Sequence, residues 1–459
     1  MSIQLKKSAV GATLLRPVQR SGLDAALREA SPRARQWLQA TGFQAAEHRH
    51  ALVPDADGRV GEVWVGVSDV SDAHVLSALP QSLPEGRYRL ADDGLQVDAQ
   101  AAALSWALGC YRFERYRPAG RAPATLVLPP SAAAQAGLQL AQAITRVRDL
   151  VNTPAEDLGP AELAEAAKAL AKAHGARFKQ TTGDALLKAG FPAVHAVGRA
   201  STRAPRLIEL NWGSPKHPRL TLVGKGVCFD TGGLDIKGAD GMRQMKKDMG
   251  GAAHALGLAE LVMARKLPVQ LQVLIPAVDN AIAGNAYRPG DVFRTRAGIH
   301  IEIGNTDAEG RVILCDALAY GAESKPDLMV DLATLTGAAR VALGPQLPAL
   351  FSNRFGLARG LMDLGLAMGD PLWHMPLWPG YQGAIESSIG QIVNTGATPQ
   401  GGAINAALFL QHFVPEAIDW LHVDLFAWNP SARPGRPAGG EAQSLRALLA
   451  MMEQRYCKK

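Results

Sequence analysis

Two carboxylates and a guanidinium stand at alternate positions in the stretch NTDAEGRVIL (305–314): Asp307, Glu309 and Arg311. An apolar run begins directly after them. In an extended chain residues i, i+2 and i+4 point the same way, so these three are expected to face one site. Upstream, Asp230 follows the apolar run RLTLVGKGVCF (219–229), with Lys225 inside that run and Lys237 in the loop beyond it. Gly232 and Gly233 permit a backbone turn there that a side chain would block. Further along, Met242, Met245, Met249, Ala252, Ala253 and Leu256 recur at helical spacing, and Asp248 falls on the same face. A carboxylate on a buried face is costly unless it is paired or bound to a cation. A core lysine or a metal ion would satisfy Asp248.

These residues need elements to hold them. RLIELNW (206–212), RLTLVGKGVCF (219–229), VQLQVLIPAV (269–278), HIEIGN (300–305) and DLMVDLATL (327–335) are short apolar runs bounded by turn residues. They read as buried strands, with helical stretches between them. That alternation predicts an α/β domain with helices on both faces of a mainly parallel sheet. Ligands of such sheets bind beyond the carboxyl ends of the strands. Asp230, Asp248, Asp307 and Glu309 would then meet at one sheet edge. Taken singly, each acid reads as a helix cap or a solvated loop charge. Packed together, four acids repel and raise one another's pKa. Two divalent cations, bridged by carboxylate oxygens at about 3.5–4 Å, would remove that penalty.

Length and composition frame the rest. A chain of 459 residues exceeds one ordinary core and predicts two domains. The Pro-, Gly- and Ala-rich stretch 117–137 suggests the boundary. The expected division is a smaller N-terminal α/β domain (1–135) and a C-terminal three-layer αβα catalytic domain (136–459). GEVWVGV (61–67) predicts a strand and DAQAAALSWALGCYRF (98–113) a helix in the former. The net charge of +6 is dispersed along the chain, so no nucleic-acid stripe is visible. The start MSIQLKKSAVGATLLRP has no sustained apolar core of a signal peptide, and no apolar run is long enough to span a membrane. Four dispersed cysteines without a CxxC point to reduced thiols in a cytoplasm. DTG (230–232) lacks the second copy an aspartic protease needs, GKG (224–226) is not a P-loop, and there is no HExxH.

NTDAEGR resembles the signature of the leucyl aminopeptidase family (peptidase family M17), the dimetal cytosolic aminopeptidases. VGKGVCFDTGG, DIKG, MKKDMGGAA and DLATLTGA resemble its other core motifs in the same order, and the resemblance covers roughly residues 145–430. It implies that Asp230 and Glu309 bridge two metal ions, that Lys225 and Asp248 complete the tighter site, and that Asp307 completes the more exchangeable one. Lys237 would stabilise an oxyanion. Arg311 would hold a bicarbonate ion acting as general base. The implied activity is metal-dependent release of N-terminal amino acids from peptides with a free N-terminus, by hydroxide attack at a two-metal site containing Mn²⁺ or Zn²⁺. The implied assembly is a cytoplasmic homohexamer. Some relatives double as DNA-binding architectural proteins, an alternative that the basic pI allows and the dispersed charge does not favour.

By motif position, Met245, Thr334, Leu335, Gly337 and Phe426 would line the side-chain pocket. The family's His-x-Asp-Ile-Ala-Gly motif is here HVDLFAW (422–428). Phe426 stands where Ala is usual and Ala427 where Gly is usual. A Phe426 that points inward would narrow the pocket and change the preference for leucine. His422 and Asp424 are expected to be structural. Asn405, in GGAINAALFLQHF (401–413), stands where the family has Thr.

Overall fold

The computed structural model describes residues 2–118 and 120–457. They form two compact units: Met1–Thr145 with Ser431–Ala438, and Arg146–Pro430 with Gly439–Lys459. The division falls inside the helix Ala132–Asn152, later than residue 135. The assignment of 431–438 to the first unit leaves no mark in composition, because it is set by packing.

The first unit is built on strands β1 (Ile3–Leu5), β2 (Thr13–Val18), β3 (His50–Pro54), β4 (Val60–Gly66), β5 (Arg87–Leu90) and β6 (Thr125–Leu128). Their order in the sheet is β1-β6-β5-β2-β4-β3, parallel except at the β3–β4 edge. The Ala-rich helix runs Ala99–Cys110 and starts where the Asp98 side chain accepts from Ala101 N at 2.9 Å. Its Trp106 is fully buried and donates to Ala124 O at 3.1 Å, which satisfies the indole inside an apolar core.

The second unit holds a nine-stranded sheet: β7 (Arg177–Thr182), β8 (Arg206–Trp212), β9 (Arg219–Gly224), β10 (Gly226–Asp230), β11 (Gln270–Asn280), β14 (Leu328–Ala333), β15 (Ala349–Ser352), β16 (Trp373–His374) and β18 (Asp419–Asp424). A separate small sheet joins β12 (Val292–Arg294), β13 (His300–Glu302) and β17 (Ile392–Val393). The large sheet runs β16-β15-β18-β14-β9-β11-β8-β7, with β10 beside β11. Its centre, β18-β14-β9-β11, is parallel, and β8, β7 and β15 add antiparallel pairs. Helices Pro160–His174, Gly250–Ala264 and Leu445–Tyr456 pack together on this sheet, and helices Pro192–Gly198, Glu309–Glu323 and Gly402–Gln411 form a second packed group. Every residue of Gly250–Met263 is buried, as an apolar helix without a polar face requires. Val223, Leu274, Ile313, Leu318, Met329 and Trp420 join strands and helices in one core.

Three local expectations are corrected. HIEIGN is not a strand of the large sheet; only His300–Glu302 is extended, in the small sheet. The stretch 242–256 is not one helix. A helix Ala239–Met242, a 3-10 turn Met245–Lys247 and the helix Gly250–Ala264 follow one another, with Asp248 at the break. The reason lies at Gly251, where a Cβ would overlap the Leu332 carbonyl. The chain presses against the strand ends there, and Ala252 N donates to Lys225 O at 2.8 Å instead of continuing a helix backwards. Lys225 itself sits between β9 and β10, not within a strand.

Candidate metal-binding active site

The parallel strands deliver their carboxyl ends to one edge. The ends of β9, β14 and β18 lie side by side, since Leu332 pairs with Gly224 and Ala333 with Asp424. Lys225 follows β9, Asp230 ends β10, and Thr334 and Leu335 follow β14. Beyond this edge opens a cavity of about 680 Å³.

Asp307 and Glu309 arrive from a different geometry than an extended strand. The Asn305 side chain accepts from Asp307 N at 2.6 Å and starts a 3-10 turn, Thr306–Ala308; Glu309 is then the first residue of the helix Glu309–Glu323. Asn280, at the end of β11, ties this turn to Asp230. Its amide donates to Asp230 Oδ1 at 2.8 Å and to Thr306 O at 3.0 Å. As a result Asp230, Asp307 and Glu309 each place an oxygen within 4.8 Å of the others. In a helix, positions two apart point away from each other. Arg311 therefore leaves the shared face: Asp307 and Glu309 line the cavity, and Arg311 does not. It is buried, and among the described residues its guanidinium has no hydrogen bond or ion pair. Burial pulls it down to about 10, while the charges of Glu309 and Asp424 hold it up.

Two lysines thread the acids. The Lys225 ammonium donates to Thr334 O at 2.9 Å and lies 2.8 Å from Asp248 Oδ2 and 2.8 Å from Glu309 Oε1. Lys237 lies 2.7 Å from Asp230 Oδ2 and also pairs with Asp307. Burial works against both ammonium groups, but the surrounding carboxylates outweigh it and raise both. Burial and the charge of Asp230 push Glu309 up to about 8 and Asp307 up to about 6. Asp248 is also penalised by burial, yet Lys225 and Lys247 bring it below its ordinary value.

Whether this set suits cations is decided by its oxygens. Glu309 is almost wholly buried, and among the described residues its Oε2 has no hydrogen-bond partner. A buried orphan carboxylate oxygen beside two other converging carboxylates is a hard-cation ligand set. The residues fit divalent ions.

Met245, Thr334, Leu335, Gly337 and Phe426, expected to line a side-chain pocket, all lie on the cavity wall. Phe426 points to it with Lys247 Nζ and Arg340 Cζ each 5.0 Å from its ring centroid. Ala427 has φ +55°, a left-handed conformation that glycine adopts freely. That backbone explains the glycine usual at this position. His422 is fully buried and pairs with Asp331 at 2.5 Å, while Trp420 donates to the other Asp331 oxygen at 2.7 Å. Asp424 accepts from Leu335 N at 2.9 Å, from Thr336 N at 3.2 Å and from Thr336 Oγ1 at 2.6 Å. It shapes the loop on which Thr334 and Leu335 reach the cavity. Sequence reasoning missed Lys247 and Arg340 on the wall. The second lysine of MKKDMGG, placed directly before Asp248, was the available signal.

Comparison with known proteins follows the same lines. The catalytic domain of the cytosol aminopeptidase family matches residues 145–449, and the M17 aminopeptidase N-terminal domain matches residues 13–129. A protein described as "Probable cytosol aminopeptidase" from Syntrophotalea carbinolica is 42% identical over 328 residues, which cover 71% of this chain and 66% of that protein. The crystal structure of a cytosol aminopeptidase from Coxiella burnetii superposes with a TM-score of 0.95 at 47% identity, covering 99% of each chain. The bottromycin maturation enzyme BotP in complex with Mn superposes with a TM-score of 0.87 at 31% identity, covering 97% of this chain and all of that one.

Proposed function

Because the chain belongs to the cytosol aminopeptidase family, we propose that it releases N-terminal residues from free-amine peptides by hydrolysis at a two-metal site. The observation that carries the proposal is the convergence of Asp230, Asp307 and Glu309 within 4.8 Å, around a buried carboxylate oxygen that has no partner. Asp230 and Glu309 would be shared between the two ions, Lys225 and Asp248 would complete one site, and Asp307 would complete the other. The chemistry supplied by divalent cations held there is polarisation of the scissile carbonyl and a lowered pKa for the attacking water. The Mn in BotP supports divalent metal, Mn²⁺ or Zn²⁺.

The chain's own residues do the rest. Lys225 serves as a ligand in its neutral form, which adjacent cations favour. Lys237 keeps its proton and, partly exposed at the cavity, donates to the oxyanion of the tetrahedral intermediate. Arg311, which has no hydrogen bond or ion pair among the described residues, would offer its planar fork to a planar anion. Bicarbonate bound to Arg311 would supply a general base. Met245, Thr334, Leu335, Gly337 and Phe426 receive the N-terminal side chain. The proposal extends to a cytoplasmic homohexamer and to a functional division after residue 135, supported by the gap between the two matched domains. No described helix is long and apolar enough to cross a membrane. No observation favours the DNA-binding alternative.

The test is hydrolysis of leucyl, methionyl, alanyl and arginyl p-nitroanilides by chelator-stripped protein, before and after addition of Mn²⁺ or Zn²⁺. Activity should return with metal and vanish when the substrate amine is acetylated. A folded protein inactive with every metal would sink the reading.

A further inference from the structure

Lys247 is an anomaly on the cavity wall. Its residue is 5% exposed, and lysine is almost never buried without a partner. Among the described residues its ammonium has no hydrogen bond and no carboxylate at ion-pair distance. What it touches is the face of Phe426, 5.0 Å from the ring centroid. Arg340 rests on the same ring at 5.0 Å, and it too has no carboxylate partner. Both residues line the cavity. The acids nearby form no ion pair with them, although the charge of Asp248 acts on Lys247 from beyond contact. Asp248 Oδ2 is paired with Lys225 and Oδ1 accepts from Thr334 Oγ1. Asp424 accepts from Leu335 N, Thr336 N and Thr336 Oγ1 and pairs with neither cation. Asp240 lines the cavity exposed and pairs with neither cation.

A cation–π contact alone does not repay the burial of an ammonium. A carboxylate entering the cavity would. We propose that Lys247, Arg340 and Phe426 form a carboxylate-reading wall of the side-chain pocket, and that this chain prefers peptides whose N-terminal residue is acidic, glutamate before leucine. Phe426 closes the apolar depth that a leucine side chain would fill, and it holds the two cations at the rim of what remains. This inference rests on the aminopeptidase reading and narrows its substrate class.

The experiment compares kcat/KM for glutamyl, glutaminyl and leucyl p-nitroanilide with the Mn²⁺-loaded enzyme. These substrates carry no C-terminal carboxylate, so a glutamyl-over-glutaminyl ratio reports the side chain alone. That ratio should be about tenfold or more, as a charge-assisted contact in a partly desolvated pocket gives. Lys247→Met, which keeps the buried stem, should bring the ratio close to one, and Arg340→Gln should lower it several-fold. Arg340 is exposed, so its variant keeps the test readable if Lys247→Met does not fold. Leucyl p-nitroanilide cleaved with a glutamyl-to-glutaminyl ratio near one overturns this inference and leaves the aminopeptidase reading standing. A preference for Leu-Gly over Leu-Gly amide that Lys247→Met abolishes, without any glutamyl preference, places the carboxylate at the peptide's other end and also overturns it. Failure to cleave any of these substrates removes both.

Discussion

The Thr334 hydroxyl lies 2.8 Å from Asp248 Oδ1 and 3.0 Å from the Asp248 carbonyl, so one side chain at the end of β14 fixes the orientation of a carboxylate on a different segment. The other Asp248 oxygen is thereby aimed at Lys225, 2.8 Å away. A ligand held in one rotamer by such a contact costs less entropy to engage a cation. Thr334→Val keeps the shape and removes the hydroxyl. Its expected effect is a loss of metal affinity of about 10–100-fold, read by titrating the variant with a chelator of known affinity. An unchanged metal affinity would show that Asp248 is positioned without Thr334.

The cluster should make stability depend on pH in a way that metal reverses. Burial and Asp230 push Glu309 up to about 8, against about 4.3 in an unfolded chain. Between those values the folded protein holds a proton that the unfolded chain has released, so stability falls as pH rises. His422, also raised, acts in the same direction. His254, pushed down to about 4 by burial, opposes it only below its ordinary 6.5. Buried Lys247, pushed down to about 8, acts only above that value. The window from pH 6.5 to 8 therefore isolates Glu309 and His422. The melting temperature of the chelated protein should decline across it, and Mn²⁺ should flatten the decline by replacing the Glu309 proton. A decline of equal slope with and without Mn²⁺ would place the titration outside the metal cluster.

Gly310 carries a sharper steric constraint than its position in a helix suggests. A Cβ there would lie 2.6 Å from Lys225 Cε and 2.7 Å from Nζ. The obstacle is the flexible end of a side chain, so Gly310→Ala should fold while displacing the Lys225 ammonium from Asp248 and Glu309. Activity is expected to fall at least about 100-fold, the scale of a misplaced reactive group, with a circular dichroism spectrum like that of the parent. Retained activity would mean that Lys225 can leave its place without consequence.

The differences between sequence and structure have a common origin. The large-sheet strands were legible because burial on both faces leaves continuous apolar runs, and RLIELNW became β8 at its full length, Arg206–Trp212. The acids were legible because Asp230 ends such a run and Asp248, Asp307 and Glu309 stand at the starts of apolar helical stretches. What the sequence could not convey was close backbone approach. Gly251 against Leu332 breaks the expected helix at Asp248, and the Asn305 cap turns Asp307 and Glu309 out of the extended line that would have included Arg311. Periodicity describes an element by itself, whereas these positions are decided by another segment pressing on it. Lys247 was hidden for the same reason: its lack of a partner is a property of everything around it. Phe426 drew notice through its departure from a family motif, but its contacts with Lys247 and Arg340 join residues far apart in the chain.

Lys237 offers the clearest separation of binding from catalysis. It is the more exposed of the two lysines among the acids, at 16% of its side-chain surface against 3% for Lys225. Its ammonium bridges Asp230 and Asp307 at the cavity, where a substrate oxygen can compete for its protons. Lys237→Met retains the length and the apolar stem and removes the charge. If Lys237 stabilises an oxyanion that exists only in the transition state, kcat should drop by about 10²–10³-fold while KM changes little. Metal content, measured on the same preparation, should stay near two ions per chain, because the metal ligands assigned above are untouched. A variant that loses metal in proportion to activity would reassign Lys237 to holding Asp230 and Asp307 in place. One that loses KM instead would make it a group for binding the ground-state peptide.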